Sequence, residues 1–170
     1  MISKTLNKAI NEQINKEMFS EYLYLSMSAW FTEQNLEGFA NWMNVQAQEE
    51  RFHAMKFFNY VLDRGGSIEL LQIEKPAKEF KNPFNAFKET LKHEQFITKS
   101  IDGLMDLAIK EKDHAAKSFL QWFVDEQVEE ESNADKLLNQ LKMIGDNVHS
   151  IFMLDRELAT RVYTPPVATA

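Results

Sequence analysis

The chain reads as an all-α protein, a four-helix bundle with one long crossover and a short fifth helix near its C-terminal end. Three observations carry this reading. Apolar residues recur at alternating spacings of three and four along four long stretches, no strand-like alternation competes with them, and the five Gly and four Pro punctuate sparsely. With 170 residues, the chain suffices for one domain over 1–170, with a bundle at about 4–144 and a terminal helix at about 147–161.

The first helix runs from about Lys4 to Phe31 without Gly or Pro. Its stripe is Ile10, Gln13, Glu17, Ser20, Tyr24, Met27 and Phe31. Asn35 is expected to cap a second helix that reaches Arg64 and stops at Gly65-Gly66. That helix presents Phe39, Met43, Gln46, Glu50, His53, Phe57 and Tyr60. Asn82-Pro83 pairs a capping side chain with a proline at the first helical position, and opens a third helix to about Lys110. Its expected stripe is Phe84, Phe87, Leu91, Glu94, Thr98, Ile101, Met105 and Ala108. Asp113 caps the fourth, which ends before Gly145 and presents Ala116, Leu120, Phe123, Gln127, Glu130, Ala134, Leu137, Leu141 and Ile144. The fifth spans about Asn147 to Arg161, and Pro165-Pro166 closes the ordered part.

Connection lengths set the topology. Short links make the first pair and the last pair antiparallel. The 18 residues from Gly65 to Asn82 can extend roughly 55–60 Å, against roughly 40 Å for each long helix. The linker can return along the whole bundle, so the second and third helices run parallel. Mid-helix positions then meet in one layer.

That layer is polar. Glu17, Glu50, His53, Glu94, Gln127 and Glu130 interrupt the middle of stripes that are apolar at their ends. A buried charge costs several kcal/mol unless something compensates it. Any one glutamate on such a stripe is ordinarily a boundary residue reaching for water. One or two on every helix at the same level suggest a shared partner, most simply a pair of metal ions. Residues three apart share a helix face, so Glu50 and His53 aim at one place and Gln127 and Glu130 do the same. Carboxylates with an imidazole suit iron or manganese. Glu17, Glu50, Glu94 and Glu130 carry four negative charges, which two divalent cations would balance.

Composition narrows the alternatives. No cysteine is present, which excludes disulfides and thiolate-bound metal. The net charge of −7 disfavours nucleic acid and anionic membranes as partners and suits a handler of cations. No segment resembles a secretory signal or a membrane span, so the expected location is cytoplasmic.

Local stretches carry a resemblance as well: Glu37-Gly38-Phe39-Ala40-Asn41-Trp42-Met43, Gln48-Glu49-Glu50 leading to His53-Ala54, and Trp122-Phe123 followed by Glu126-Gln127-Val128-Glu129-Glu130-Glu131. Over nearly its full length the chain resembles a bacterial or archaeal non-haem ferritin. Ferritin-like di-iron proteins share this single-crossover bundle with glutamate and Glu-x-x-His ligands projecting inward. Gln127-x-x-Glu130 stands where bacterioferritins carry a second Glu-x-x-His, and Arg51 where they carry the haem-binding Met. No haem is therefore expected. Rubrerythrins need cysteines that are absent here, and mini-ferritins lack a fifth helix.

The resemblance implies a ferroxidase and iron store. Fe(II) would be oxidised by dioxygen or hydrogen peroxide at two irons per subunit, and Fe(III) oxide kept inside a homo-oligomeric shell of 24 subunits. By matching position, Glu17, Glu50 and His53 resemble the first iron's ligands, and Glu94, Glu130 and a bridging Glu50 the second's. Gln127 resembles the residue beside the dioxygen-binding region. Glu49, Glu126, Glu129 and Glu130 resemble a third iron site, although so charge-dense a stretch is equally a solvated face. Tyr24, two turns after Glu17, resembles a tyrosine that supports a ligand and supplies an electron; its other reading is a buried aromatic with a satisfied hydroxyl. Trp122 has similar standing. His93, His114 and His149 read as surface or interface residues. Val148, Ile151, Phe152, Leu154 and Leu158 make the fifth helix an expected contact between subunits. Two rivals are a di-iron oxygenase acting on an organic substrate and a non-catalytic structural shell subunit.

Overall fold

A computed structural model describes residues 1–165 and contains five helices and, among those residues, no strand. They are α1 (Lys4–Glu33), α2 (Glu37–Asp63), α3 (Pro83–Lys110), α4 (His114–Ile144) and α5 (Val148–Leu158). Short polar side chains start most of them. Ser3 accepts from the Leu6 amide, Asn82 from Asn85, Asp113 from Ala116 and Asn147 from Ser150. At the far end of α2, Gly65 takes a positive φ of 68° and the Gly66 amide donates to Val61 O at 2.8 Å, closing the helix.

The start of α2 departs from expectation. Asn35 does not cap it; with φ of 59° it turns the chain out of α1, and Leu36 at the cap position offers no side-chain acceptor. The acceptor is Asp155 of α5, whose Oδ1 takes the amides of Gly38 (2.8 Å) and Phe39 (3.0 Å). A buried carboxylate thus satisfies orphan donors at the positive end of the α2 dipole. Gly38 makes the approach possible, since a Cβ there would lie 1.6 Å from Asp155 O.

The fifth helix stops at Leu158, short of the expected Arg161. Asn41 of α2 donates to the carbonyls of Leu158 (3.1 Å) and Arg161 (2.9 Å) and draws the chain off the helical path. The expected apolar face of α5 is divided. Leu154 and Leu158 are buried and Ile151 packs beside them, while Val148, Phe152 and Met153 face outward. Pro166 and the residues after it lie outside the described residues.

The crossover runs alongside α1. Asn7 and Asn11 donate to Ser67 O (3.1 and 2.9 Å), and Asn15 donates to Leu71 O and Gln72 O (3.3 and 3.1 Å). Further along, Ser26 donates to Ala77 O at 2.7 Å and Phe80 packs on Trp30. The strap therefore travels from the start of α1 to its end, so α3 enters beside the start of α2 and runs parallel to it. No described helix is long and apolar enough to cross a membrane.

Two apolar clusters fill the bundle. One holds Met27, Phe31, Phe39, Trp42, Met43 and Phe87; the other holds Leu6, Ile10, Phe57, Ile97, Leu120 and Phe123. The expected stripe of α1 is buried throughout, and that of α2 is buried except for half-buried Tyr60. On α3 the buried face is rotated. Thr90, Ile97 and Leu104 are inside, while Leu91, Thr98 and Met105 form a half-buried flank. Between the clusters sits the polar layer.

Candidate metal centre

Each helix delivers its midpoint side chains inward because apolar residues on both sides fix its rotation. Glu17, Glu50, His53 and Glu94 are at most 2% exposed, Gln127 is 3% and Glu130 is 5%. Ligand atoms of Glu17, Glu50 and His53 lie within 4.8 Å of one another, and so do those of His53, Glu126 and Glu130. His53 Nδ1 is 3.5 Å from Glu50 Oε2, and His53 Nε2 is 3.9 Å from Glu126 Oε1. Glu94 sits across the layer. The Tyr24 hydroxyl donates to its Oε1, and Gln127 Nε2 lies 3.3 Å from both its Oε2 and its backbone carbonyl.

Two glutamines complete the layer. Gln13 donates to Glu17 Oε1 at 2.8 Å. Gln46 donates to Glu130 Oε2 at 2.6 Å and lies 3.5 Å from Glu50 Oε1. Each precedes a layer glutamate by four residues, one turn, so its amide reaches the carboxylate from above. That spacing was visible in the sequence and is the signal that finds them.

The electrostatics are strained without a cation. Burial pushes the Glu17, Glu50, Glu94 and Glu130 carboxyls above the usual range, Glu94 to about 7. The charges of Glu94 and Glu17 push Glu50 further, and those of Glu94 and Glu50 push Glu130 further. Burial and then the charges of Glu94 and Glu50 hold the Tyr24 phenol well above its ordinary value. Glu17 Oε2 is the one buried side-chain nitrogen or oxygen without a hydrogen-bond partner among the described residues. Four carboxylates, one of them with an orphaned oxygen, and one imidazole form a hard, anionic donor set that fits divalent or trivalent cations.

The other expected site residues flank the layer, near enough for their charges to act on one another. Glu49 Oε2 accepts from Arg161 Nη2 at 2.6 Å, Glu129 is exposed, and Glu126 alone of the three comes close to His53. Trp122 stands edge-on to His53 with centroids 5.5 Å apart, and Lys56 Nζ lies over its ring at 4.5 Å. His93 lies at the edge of the surface rather than free upon it. It is half-buried against Phe19, Tyr24 and Phe96, pairs with Ser20 Oγ at 2.7 Å, and is lowered by burial to about 4. It is therefore neutral at pH 7 and braces Tyr24 from behind.

Residues 7–144 match the model of the ferritin-like domain. A bacterial non-heme ferritin of Staphylococcus aureus is 40% identical over 163 residues, covering 96% of this chain and 98% of its own. Its counterpart in Staphylococcus haemolyticus is 42% identical over the same share. Among solved structures, a humanized archaeal ferritin superposes with a TM-score of 0.96 at 47% identity, over 97% of this chain and 100% of that one. An open-pore ferritin of Archaeoglobus fulgidus gives 0.94 at 46% identity, over 95% and 99%.

Proposed function

The chain belongs to the ferritin-like domain family, and from that premise we propose that it is a ferroxidase subunit of an iron store. The carrying observation is the dry carboxylate layer, which is complete on all four helices and leaves Glu17 Oε2 with no donor. A purely structural shell subunit has no use for so costly a layer.

In this reading Fe(II) is the substrate. Glu17, Glu50 and His53 hold one ion, and Glu94, Glu130 and the shared Glu50 hold the other. Ion binding lowers the carboxyl pKa values and releases the protons that burial had retained. Paired placement lets an oxidant draw one electron from each ion. Dioxygen takes two electrons and two protons and leaves as hydrogen peroxide; hydrogen peroxide takes the same and leaves as two waters. Gln127 and the Tyr24 hydroxyl fix the Glu94 rotamer. A third ion held by Glu49, Glu126, Glu129 and Glu130 has to displace Arg161 from Glu49.

Oxidised iron then moves as Fe(III) oxide into the cavity of a homo-oligomeric shell of 24 subunits, located in the cytoplasm. The outward Val148, Phe152 and Met153 of α5 supply apolar surface for a contact between subunits. Aerobic Fe(II) loading followed at the ferric absorbance, with particle mass from size exclusion, tests the whole reading. Glu17→Ala and His53→Ala should each slow oxidation at least tenfold. Parent rates in both variants, or a particle no larger than a dimer, would overturn it.

A further inference from the structure

We infer that Arg161, in the segment after α5, is a positioning residue for the metal centre and acts through Gln46. The inference rests on the metal-centre reading above and adds to it a residue outside the bundle. The Arg161 guanidinium makes four contacts with α2. Nη1 donates to Trp42 O (3.1 Å) and Gln46 Oε1 (3.0 Å), Nη2 donates to Glu49 Oε2 (2.6 Å), and the group lies 4.5 Å over the Trp42 ring.

A side-chain amide has a donating end and an accepting end, whereas a guanidinium only donates. Arg161 therefore fixes Gln46 with Oε1 outward, and the Nε2 hydrogens point inward at Glu130 Oε2 (2.6 Å) and Glu50 Oε1 (3.5 Å). Turned over, the amide would set its carbonyl against two carboxylates and its NH₂ against the guanidinium. Both contacts would be repulsive. Gln46 thereby fixes the rotamer in which Glu130 meets a cation.

Arg161 is itself held in place. Asn41 binds the Leu158 and Arg161 carbonyls, and Asp155 caps α2 a few residues earlier. The opposite glutamine is fixed in the same way from another side. Lys16 Nζ donates to Ser100 Oγ (2.7 Å), Ser100 donates to Gln13 Oε1 (2.5 Å), and Gln13 donates to Glu17. Each half of the centre thus has one glutamine oriented by a cationic side chain outside the layer. The Glu130 half depends on the C-terminal segment and the Glu17 half does not.

The test is an anaerobic Co(II) titration of the metal-free assembled protein, read by calorimetry and by the visible ligand-field bands. Parent protein should bind two ions per subunit in the layer. In R161A the ion at Glu94 and Glu130 should bind about tenfold more weakly with altered bands, while the ion at Glu17 and His53, whose shared ligand Glu50 meets Gln46 only at 3.5 Å, should lose clearly less. Q46L should show the same selective loss, and R161A/Q46L no more than Q46L alone. A merely structural role for Arg161 would lower the melting temperature without singling out one ion. If R161A does not assemble, R161K carries the test, because an ammonium drawn to Glu49 leaves Gln46 unheld and the same ion should weaken. Parent affinities for both ions in the assembled variant, or additive losses in the double variant, would overturn the role of Arg161. Fewer than two ions in the parent would instead overturn the metal-centre reading.

Discussion

At the ends of the bundle Phe57 stacks on Phe123 with centroids 3.9 Å apart and Phe31 on Phe39 at 5.1 Å, while the middle holds four carboxylates that scarcely touch solvent. The same four helices build both regions. At the ends each buried aromatic contributes about 2–3 kcal/mol, whereas a desolvated carboxylate costs several kcal/mol before any partner is counted. The ends therefore stabilise the metal-free chain and the middle strains it. Cations are expected to reverse the sign of the middle and leave the ends as they are.

The strongest way to break that division is from the apolar side. Phe31→Ala should lower the stability of the metal-free protein by about 3–5 kcal/mol in chemical denaturation, with Co(II) stoichiometry per folded subunit unchanged. Loss of metal binding alone, with stability kept, would show that the ends and the middle do not divide the work.

Next comes the middle. Glu50→Gln removes the carboxylate pressed by both Glu94 and Glu17. Metal-free stability at pH 8 should rise by about 1–3 kcal/mol while stabilisation by added divalent cation disappears. Thermal melts with and without Co(II) check both halves.

A pH series sharpens the same contrast. The layer carboxyls titrate higher when folded than unfolded, so the folded state binds more protons between the ordinary 4.5 and the folded value, about 7 for Glu94. Stability of the metal-free protein should fall as pH rises through that window and stay lower above it. Asp113 has the opposite sign. The hydrogen bond from Arg64 at 2.9 Å lowers its pKa, so its stabilisation is present above the ordinary 3.8 and is lost as pH falls below it. Denaturation midpoints from pH 4.5 to 8 should decline in the metal-free protein and flatten once cation is bound.

The smallest effects belong to polar devices at the ends, one buried and one exposed. Asp155→Ala should cost about 1–2 kcal/mol by uncapping α2, and Lys8→Ala, removing an exposed pair with Glu12, below about 0.5 kcal/mol. Hydrogen exchange of the Gly38 and Phe39 amides distinguishes a lost cap from a general loosening.

Much of this was legible along the chain because burial follows helical period. Every stripe residue named on α1 is inside, and the midpoint ligands stood out by interrupting hydrocarbon. On α3 the period was right and the phase was not. Phe87, Glu94, Ile101 and Ala108 belong to either of two stripes, and apolar Leu91 and Met105 drew the reading away from Thr90, which bonds inside to Ala86 O. Features made by distant segments were not legible at all. Asp155 caps a helix 117 positions upstream, His93 is enclosed by α1, and Arg161 reaches back to Glu49. Nothing in local composition announces such meetings. Glu49, Glu126 and Glu129 lie between these cases, since their charge was obvious and their burial depended on neighbours.

The reach of Asp155 back to Gly38 also bears on biosynthesis. A ribosome has to extrude the chain past Asp155, 117 positions beyond Gly38, before α2 acquires its missing acceptor, so a product terminated earlier keeps a frayed helix start. Quality-control proteases prefer such loose backbone.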